Sequence, residues 1–211
     1  MSEDHHFIPV WQPKFISELA PEDRCHLNGM AVEDDQPRYV TCVAHSNIAE
    51  GWRDHRADGG LVIDVETNDI VSSGLSMPHS PRLYNGKLWI LQAGTGEFGF
   101  IDKESGQFEA VCFLPGFARG LSFIGDYAVI GLSKPRYNKT FNGLLLNERL
   151  DSEGTQAKCA VYVVNLTTGD IEHMLDIEGV VEELYDVAVI PDVKRPKALG
   201  FKSDEIRFAV R

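Results

Sequence analysis

Positive charge is scarce in this chain of 211 residues: 20 Lys and Arg stand against 32 Asp and Glu, a formal net charge of −12. A nucleic-acid partner is therefore not expected, because sequence-independent affinity for a phosphate backbone comes from clustered cations. Long apolar runs are missing too, since none approaches the roughly 20 residues that a membrane-spanning helix needs. The opening MSEDHHFIPV has neither the basic nor the apolar region of a secretory leader. These absences give the expectation of a cytoplasmic protein with no membrane partner. Cysteine is sparse and scattered at 25, 42, 112 and 159, with no Cys-x-x-Cys pair, so neither a thiolate metal site nor a disulfide framework is expected. Cys42 and Cys112 fall inside strand-like runs and read as buried thiols. Cys25 adjoins His26, but neighbours in extended chain point to opposite faces, which argues against a nucleophilic pair. GTGEFG (94–99) lacks the following helix that a phosphate loop requires. No G-x-S-x-G elbow accompanies either serine of SMPHSPR (76–82).

What the chain does have is one turn used three times. IDVETNDIV (63–71), FIDKESGQFE (100–109) and VNLTTGDIE (164–172) each end a β-branched or aromatic run in Asp or Asn, at Asp64, Asp102 and Asn165. Three residues closing on Thr or Ser follow, then a residue able to hold positive φ (Asn68, Gly106, Gly169), then a second β-run. Recurrence of such a hairpin at a spacing of about 40 residues or more marks a propeller or solenoid.

Aligning on those turns predicts four short strands per repeat. The first runs are GMAV (29–32), RLYN (82–85) and GLSF (120–123). The second are RYVTCVA (38–44), KLWILQAG (87–94) and YAVIGLS (127–133), and the third and fourth flank the turn. Four antiparallel strands make one blade, so the fold expected is all-β: a β-propeller, incomplete in this chain, with three clear blades and a partial fourth. The divisions are an N-terminal segment over 1–24, carrying a strand (FIPVW) and a short helix capped by Ser17, and blades over about 25–77, 78–116, 117–179 and 180–211. In the last, ELYDVAVI (183–190) would be the first strand and IRFAV (206–210) a later one. Propellers close with four to eight blades, so preceding blades or a second chain are expected to complete the ring.

Strand alternation sends the blade-to-blade connections and the two long insertions (45–58 and 134–156) to one face. The connections read RCHLNG (24–29), MPHSPR (77–82), PGFARG (115–120) and VEELYD (181–186). Anchored on the first strands, they put His26 over His79, and Asn28 over Arg119 and Tyr185, with Arg82 and Asp186 one position further on. In strand geometry Glu182, Leu184 and Asp186 would share one face, and Glu183 and Tyr185 the other. The candidate ligand-binding set is His26, Asn28, His79, Arg82, Arg119, Glu183, Tyr185 and Asp186. Trp52, Arg53, His45, His55, Arg136, Tyr137 and Asn138 would be added from the insertions. Each has a plainer reading: the histidines can pin connections, the arginines can pair with Glu183 or Asp186 as struts, and Asn28 can serve the turn before Gly29. His5 and His6 offer adventitious metal affinity.

The runs WQPKFISELAPEDRCHLNGMA (11–31), GLSMPHSPRLYNGKLWILQAGTGEFG (74–99), LPGFARGLSFIGDYAVIGLSKPR (114–136) and RPKALGF (195–201) resemble a bacterial family of conserved hypothetical proteins. That family is a domain of unknown function, some of whose members carry tetratricopeptide repeats. The resemblance spans nearly the whole chain. It implies a longer N-terminus, with first blades preceding those found here, and it implies no activity. More remotely, the fold is similar to six-bladed propellers of the gluconolactonase and strictosidine synthase type, where a cation or catalytic residues occupy the channel mouth.

Three functions follow as expectations. The leading one is a binding module whose rim takes a polar or anionic small molecule or a peptide through Arg82, Arg119, His26 and His79, since guanidinium forks suit carboxylate and phosphate. The second is a metal-assisted hydrolase or lactonase, with calcium or a similar divalent cation on Asn28, Glu183 or Asp186 and a histidine moving the proton. The third is a scaffold whose insertions dock a protein.

Overall fold

The computed structural model describes residues 8–135, 143–196, 199–200, 202 and 204–209. Three four-stranded antiparallel sheets account for its strands, each a simple meander. The first contains β1 (Leu27–Glu33), β2 (Gln36–Cys42), β3 (Gly60–Asp64) and β4 (Ile70–Leu75). The second contains β5 (Pro78–Tyr84), β6 (Lys87–Gln92), β7 (Glu97–Ile101) and β8 (Phe108–Phe113). The third contains β9 (Phe117–Ile124), β10 (Tyr127–Ser133), β11 (Ala160–Asn165) and β12 (Ile171–Asp176). The chain is thus all-β, in the three units that the repeated turn predicts.

The turn itself forms identically each time. The Oδ1 atoms of Asp64, Asp102 and Asn165 accept the backbone N–H groups two and three residues on. Asn68, Gly106 and Gly169 sit at φ of 65, 71 and 80° and return their N–H groups to the carbonyls of those three residues at 2.8 Å. The side chain supplies the acceptor that the reversing backbone lacks, and the fourth position supplies the left-handed conformation.

The sheets stack in chain order through apolar faces. Val62 and Leu75 of the first sheet meet Leu88, Ile90 and Ile101 of the second. On its other side the second sheet presents Trp89, Leu91 and Phe98 to Ala128, Ile130, Tyr162 and Val164 of the third. The outer face of the first sheet, Val40, Cys42, Leu61 and Ile63, is covered by Trp11, Phe15 and Ile16. The corresponding face of the third sheet is less covered. Registers place Val129, Gly131, Val161, Val163 and Leu175 where the second sheet has Trp89, Leu91, Phe98, Phe100 and Cys112, yet Leu175 is 64% exposed.

Two stretches depart from expectation. Residues 8–24 form turns rather than a strand and a helix; Pro9, Pro13 and Pro21 withhold backbone donors, and the segment is held by its aromatic contacts instead. Residues 182–189 run beside β9 without a ladder. Leu184 N–H goes to Ser133 Oγ at 2.9 Å and Val189 N–H to Ser122 Oγ at 3.1 Å. With no second strand beside it among the described residues, this segment places the Leu184 and Val189 donors on serine side chains of the third sheet, and the Val187 donor on Asp186 Oδ1 at 2.9 Å. Residues 206–209 are a four-residue helix, α2 (Ile206–Ala209), not a strand. No helix among the described residues is long and apolar enough to cross a membrane.

Candidate functional site

The three inner strands β1, β5 and β9 lie side by side, and each carries a bulge at the same level: between Leu27 and Gly29, between His79 and Arg82, and beside Gly120. Bulges re-aim side chains, which is why they gather near sites. Counted from the shared turns, Val43, Leu91 and Gly131 are equivalent. Their partners across the ladder are His26, through Val43 N–H to His26 O at 3.3 Å, then His79, then Arg119. The structure therefore aligns Arg119 with the two histidines rather than with Asn28, because the extra residue in each strand shifts a count made along the sequence.

Close approach of these strands depends on absent side chains. A Cβ on Gly29 would stand 2.5 Å from Pro81 Cδ, and one on Gly120 would stand 2.5 Å from the Val187 nitrogen. Gly120 also holds φ +79° and donates its N–H to Ser80 Oγ at 3.0 Å.

Between these strands and the 182–189 segment lies a cavity of about 240 Å³, bordered by Asn28, Gly29, Met30, Ser80, Arg82, Tyr185 and Asp186. Four of the eight residues expected from sequence, Asn28, Arg82, Tyr185 and Asp186, thus meet at one opening. Tyr185 and Asp186 both reach it because their segment is not pleated. Arg82 spans the site: Nε donates to Leu121 O at 3.1 Å, Nη1 to Pro81 O at 3.0 Å and Met30 O at 3.4 Å, and Nη2 to Asp186 Oδ1 at 3.4 Å. One guanidinium ties β1, β5, β9 and the following segment together.

Behind Asn28 lies a polar relay. Thr41 donates to Asn28 Oδ1 at 2.7 Å, which turns Nδ2 toward His79 Nε2, 3.5 Å away. His79 is buried, its ring edge-on to Phe117 at 5.6 Å. Burial, with the nearby charges of Arg119 and His26, holds its pKa well below the ordinary histidine value, so the ring is neutral and can accept. The Arg119 guanidinium lies over the rings of Phe117 at 5.2 Å and Tyr185 at 5.6 Å, geometry that suits a cation against aromatic faces.

The remaining expected residues stand elsewhere. His26, at φ 52°, bonds Asp23 through Nδ1 at 2.7 Å and stacks on Trp52 at 4.2 Å. It borders a different cavity of about 510 Å³ walled by residues 11–13, 16 and 18–27. Glu183 is not among the residues bordering the smaller cavity. Among the described residues, no group of three or more His, Cys, Asp or Glu side chains is placed to hold a metal ion.

The insertions do converge on one end, but they build an apolar plug there. Trp52, from a short 3-10 helix (Gly51–His55), joins Leu144, Leu146 and Leu150 at and within α1 (Leu145–Ser152). Around them pack Met77, Ala93 and Phe117. Arg53 stacks on Trp52 at 4.5 Å. His45 meets Phe15 at 4.0 Å, away from the site. Arg136, Tyr137 and Asn138 lie outside the described residues, as do His5 and His6. Sequence reasoning placed Ser80 in the stiff Pro78–Pro81 connection and set it aside as a nucleophile without foreseeing its bond to Gly120, and it passed over Thr41 and Asp23. A threonine inside the apolar run RYVTCVA was the available signal for a buried polar contact.

Among solved structures, the computationally designed Ika8 protein is similar over 78% of this chain and 40% of its own, at 11% identity and a TM-score of 0.45. The computationally designed Ika4 protein is similar over 84% and 86% respectively, at 11% identity and a TM-score of 0.44. The chain spans less than half the length of the first of these. No curated protein matches its sequence. A family model described as a domain of unknown function, DUF4915, matches residues 1–199, and with nearly the whole chain matched this protein belongs to that family.

Proposed function

We propose that this chain is the bladed portion of a β-propeller that binds a small anionic molecule in the cavity between its inner strands. The propeller reading is supported by three meander sheets stacked in chain order with their first strands adjacent. Segment 182–189 lies against β9 as β5 lies against β1. Further blades, from another stretch of polypeptide or from a second chain, complete the ring against the exposed face around Val161 and Leu175.

The observation that carries the binding reading is the Arg82 to Asp186 contact on the cavity wall. At 3.4 Å it is long for a charged pair, since optimal ones run about 2.7–2.9 Å. A ligand carboxylate or phosphate that takes the Nη2 donor gains a shorter bond, while the other guanidinium donors stay on backbone carbonyls and hold the group still. Asn28, fixed by Thr41, and the Tyr185 hydroxyl offer neutral contacts for the rest of the molecule. At about 240 Å³ the cavity is smaller than the roughly 300–1,000 Å³ of drug-sized sites, which favours a compact metabolite over a peptide.

Calorimetric titration with malonate, citrate, inorganic phosphate and glycerol phosphate tests this. At least one should bind and raise the melting temperature, and Asn28→Ala and Tyr185→Ala should weaken it tenfold or more while leaving the fold intact. Failure of all four probes to bind rejects an anion site.

A further inference from the structure

Cys25 and Cys42 share one small apolar cluster with Val40, Leu61 and Ile63, under Trp11, Phe15 and Ile16. Their chains are stitched together at this point: Val43 and Ala44 N–H groups donate to Cys25 O at 3.0 and 3.2 Å, and Leu27 pairs with Cys42. The Cys42 thiol donates to Ala44 O at 3.7 Å, and it is the Ala44 N–H that reaches back to Cys25 O. Their surroundings differ. Cys25 borders the cavity of about 510 Å³ formed by the 11–27 stretch, whereas Cys42 is sealed behind it.

We infer that Cys25 and Cys42 form a redox-active dithiol, oxidised to an intramolecular disulfide by small disulfides of the glutathione type that enter this cavity. Roles are divided by position. Cys25, which borders the cavity and whose pKa is lowered chiefly by the neighbouring Cys42 side chain, is the attacking thiolate. Cys42, fully buried and with its pKa raised by the adjoining Cys25 and by burial, resolves. The Cys25 thiolate attacks one sulfur of the small disulfide, forming a mixed disulfide and expelling one thiolate. Cys42 then passes its proton to the thiolate just expelled, its sulfur attacks Cys25 Sγ, and the second small group departs as a thiolate that takes up the proton Cys25 had released. The sum converts one dithiol and one small disulfide into one protein disulfide and two small thiols.

The other two cysteines are set apart. Burial pushes the Cys112 thiol up to about 11 and raises that of Cys159, which makes both poor nucleophiles. The cross-link would clamp β2 to the connection that carries His26, whose ring lies between Asp23 and Trp52, so oxidation tightens the covering of the first sheet.

Incubating the folded protein with oxidised glutathione, then digesting without reductant, tests the assignment by mass spectrometry. The expected product is lighter by two hydrogens and yields a peptide joining Cys25 to Cys42. In Cys42→Ser the reaction should stop at glutathione on Cys25, and in Cys25→Ser neither product should form. A wild-type measurement guards against variants that misfold: iodoacetamide should alkylate Cys25 at least tenfold faster than Cys112 or Cys159. Absence of the 25–42 cross-link in the folded protein, its appearance only in denaturant, or equal labelling of all four cysteines overturns the assignment.

Discussion

Asn28 and His79, 51 positions apart in the chain, face each other with Nδ2 3.5 Å from Nε2. Because Thr41 fixes the amide orientation, this contact works only while Nε2 carries no proton. Protonated, the ring would set donor against donor beside Arg119.

A pH prediction follows with a definite sign. His79 has a folded pKa well below its ordinary value, chiefly through burial and then through Arg119 and His26. In the unfolded chain it takes a proton near pH 6.5, so below that pH the unfolded state binds more protons and stability falls as acid is added. Above pH 7 the group contributes nothing to the slope. Denaturant unfolding at pH 7.5, 6.5 and 5.5 should show His79→Gln losing less stability on acidification than wild type. The difference should approach, at most, about 1.4 kcal/mol per pH unit below 6.5. Parallel curves would show that His79 is not the acid-sensitive group.

Arg82 acts first as a strut. Its donors reach carbonyls of three inner strands and the Asp186 carboxylate. A lysine in its place presents one compact ammonium that cannot span Leu121, Pro81 and Met30 together. Arg82→Lys should therefore cost about 2 kcal/mol, the scale of losing charged hydrogen bonds discounted for partial exposure. An unchanged urea midpoint would remove the strut. Arg82 is for this reason a poor variant for testing ligand binding, and Asn28 and Tyr185 are better.

Gly120 governs whether the cavity has its far wall. With φ at +79° and only 2.5 Å of room before the Val187 nitrogen, Gly120→Ala strains the backbone and pushes 182–189 off β9. The cost should be about 1–3 kcal/mol. Amide exchange at Leu184 and Val189, whose N–H groups are held by Ser133 and Ser122, should accelerate at least tenfold while β6 and β10 stay protected. Unchanged exchange there would mean that the segment is anchored by something other than this approach.

The repeat was legible because its cause is local. An Asp or Asn, a Thr or Ser and a left-handed residue at fixed offsets specify a turn without help from the rest of the chain, and strand alternation then fixes the sheets. The site was half legible for the opposite reason. Asn28, Arg82, Tyr185 and Asp186 were expected to converge and do. Arg119, however, was matched to Asn28, since a bulge adds a residue that no periodicity reveals. The apolar plug of Trp52, Met77 and Leu146 was not foreseen either. Apolar residues in long insertions read as loop, and only tertiary packing shows which strand ends they cover. At 182–189 apolar alternation suggested a strand, but a strand needs a partner to complete its ladder.

The turns give a last test, in which one acceptor is charged and its counterpart is not. Asp102 takes hydrogen bonds from the backbone and side chain of Ser105 and from the backbone of Glu104, and these hold its carboxyl below the ordinary range. Asn165 does the same work in the third sheet with a neutral oxygen. A depressed carboxylate contributes stability above its unfolded pKa and loses it as pH falls through the folded value. Asp102→Asn keeps the acceptor and removes that titration, so wild type should be the more stable at pH 7, with the two melting curves converging below about pH 4. Asn165→Ala deletes the acceptor itself and should cost about 1 kcal/mol at every pH. If Asp102→Asn instead matched wild type at pH 7 and at pH 3 alike, the charge would be idle and geometry alone would hold the turn.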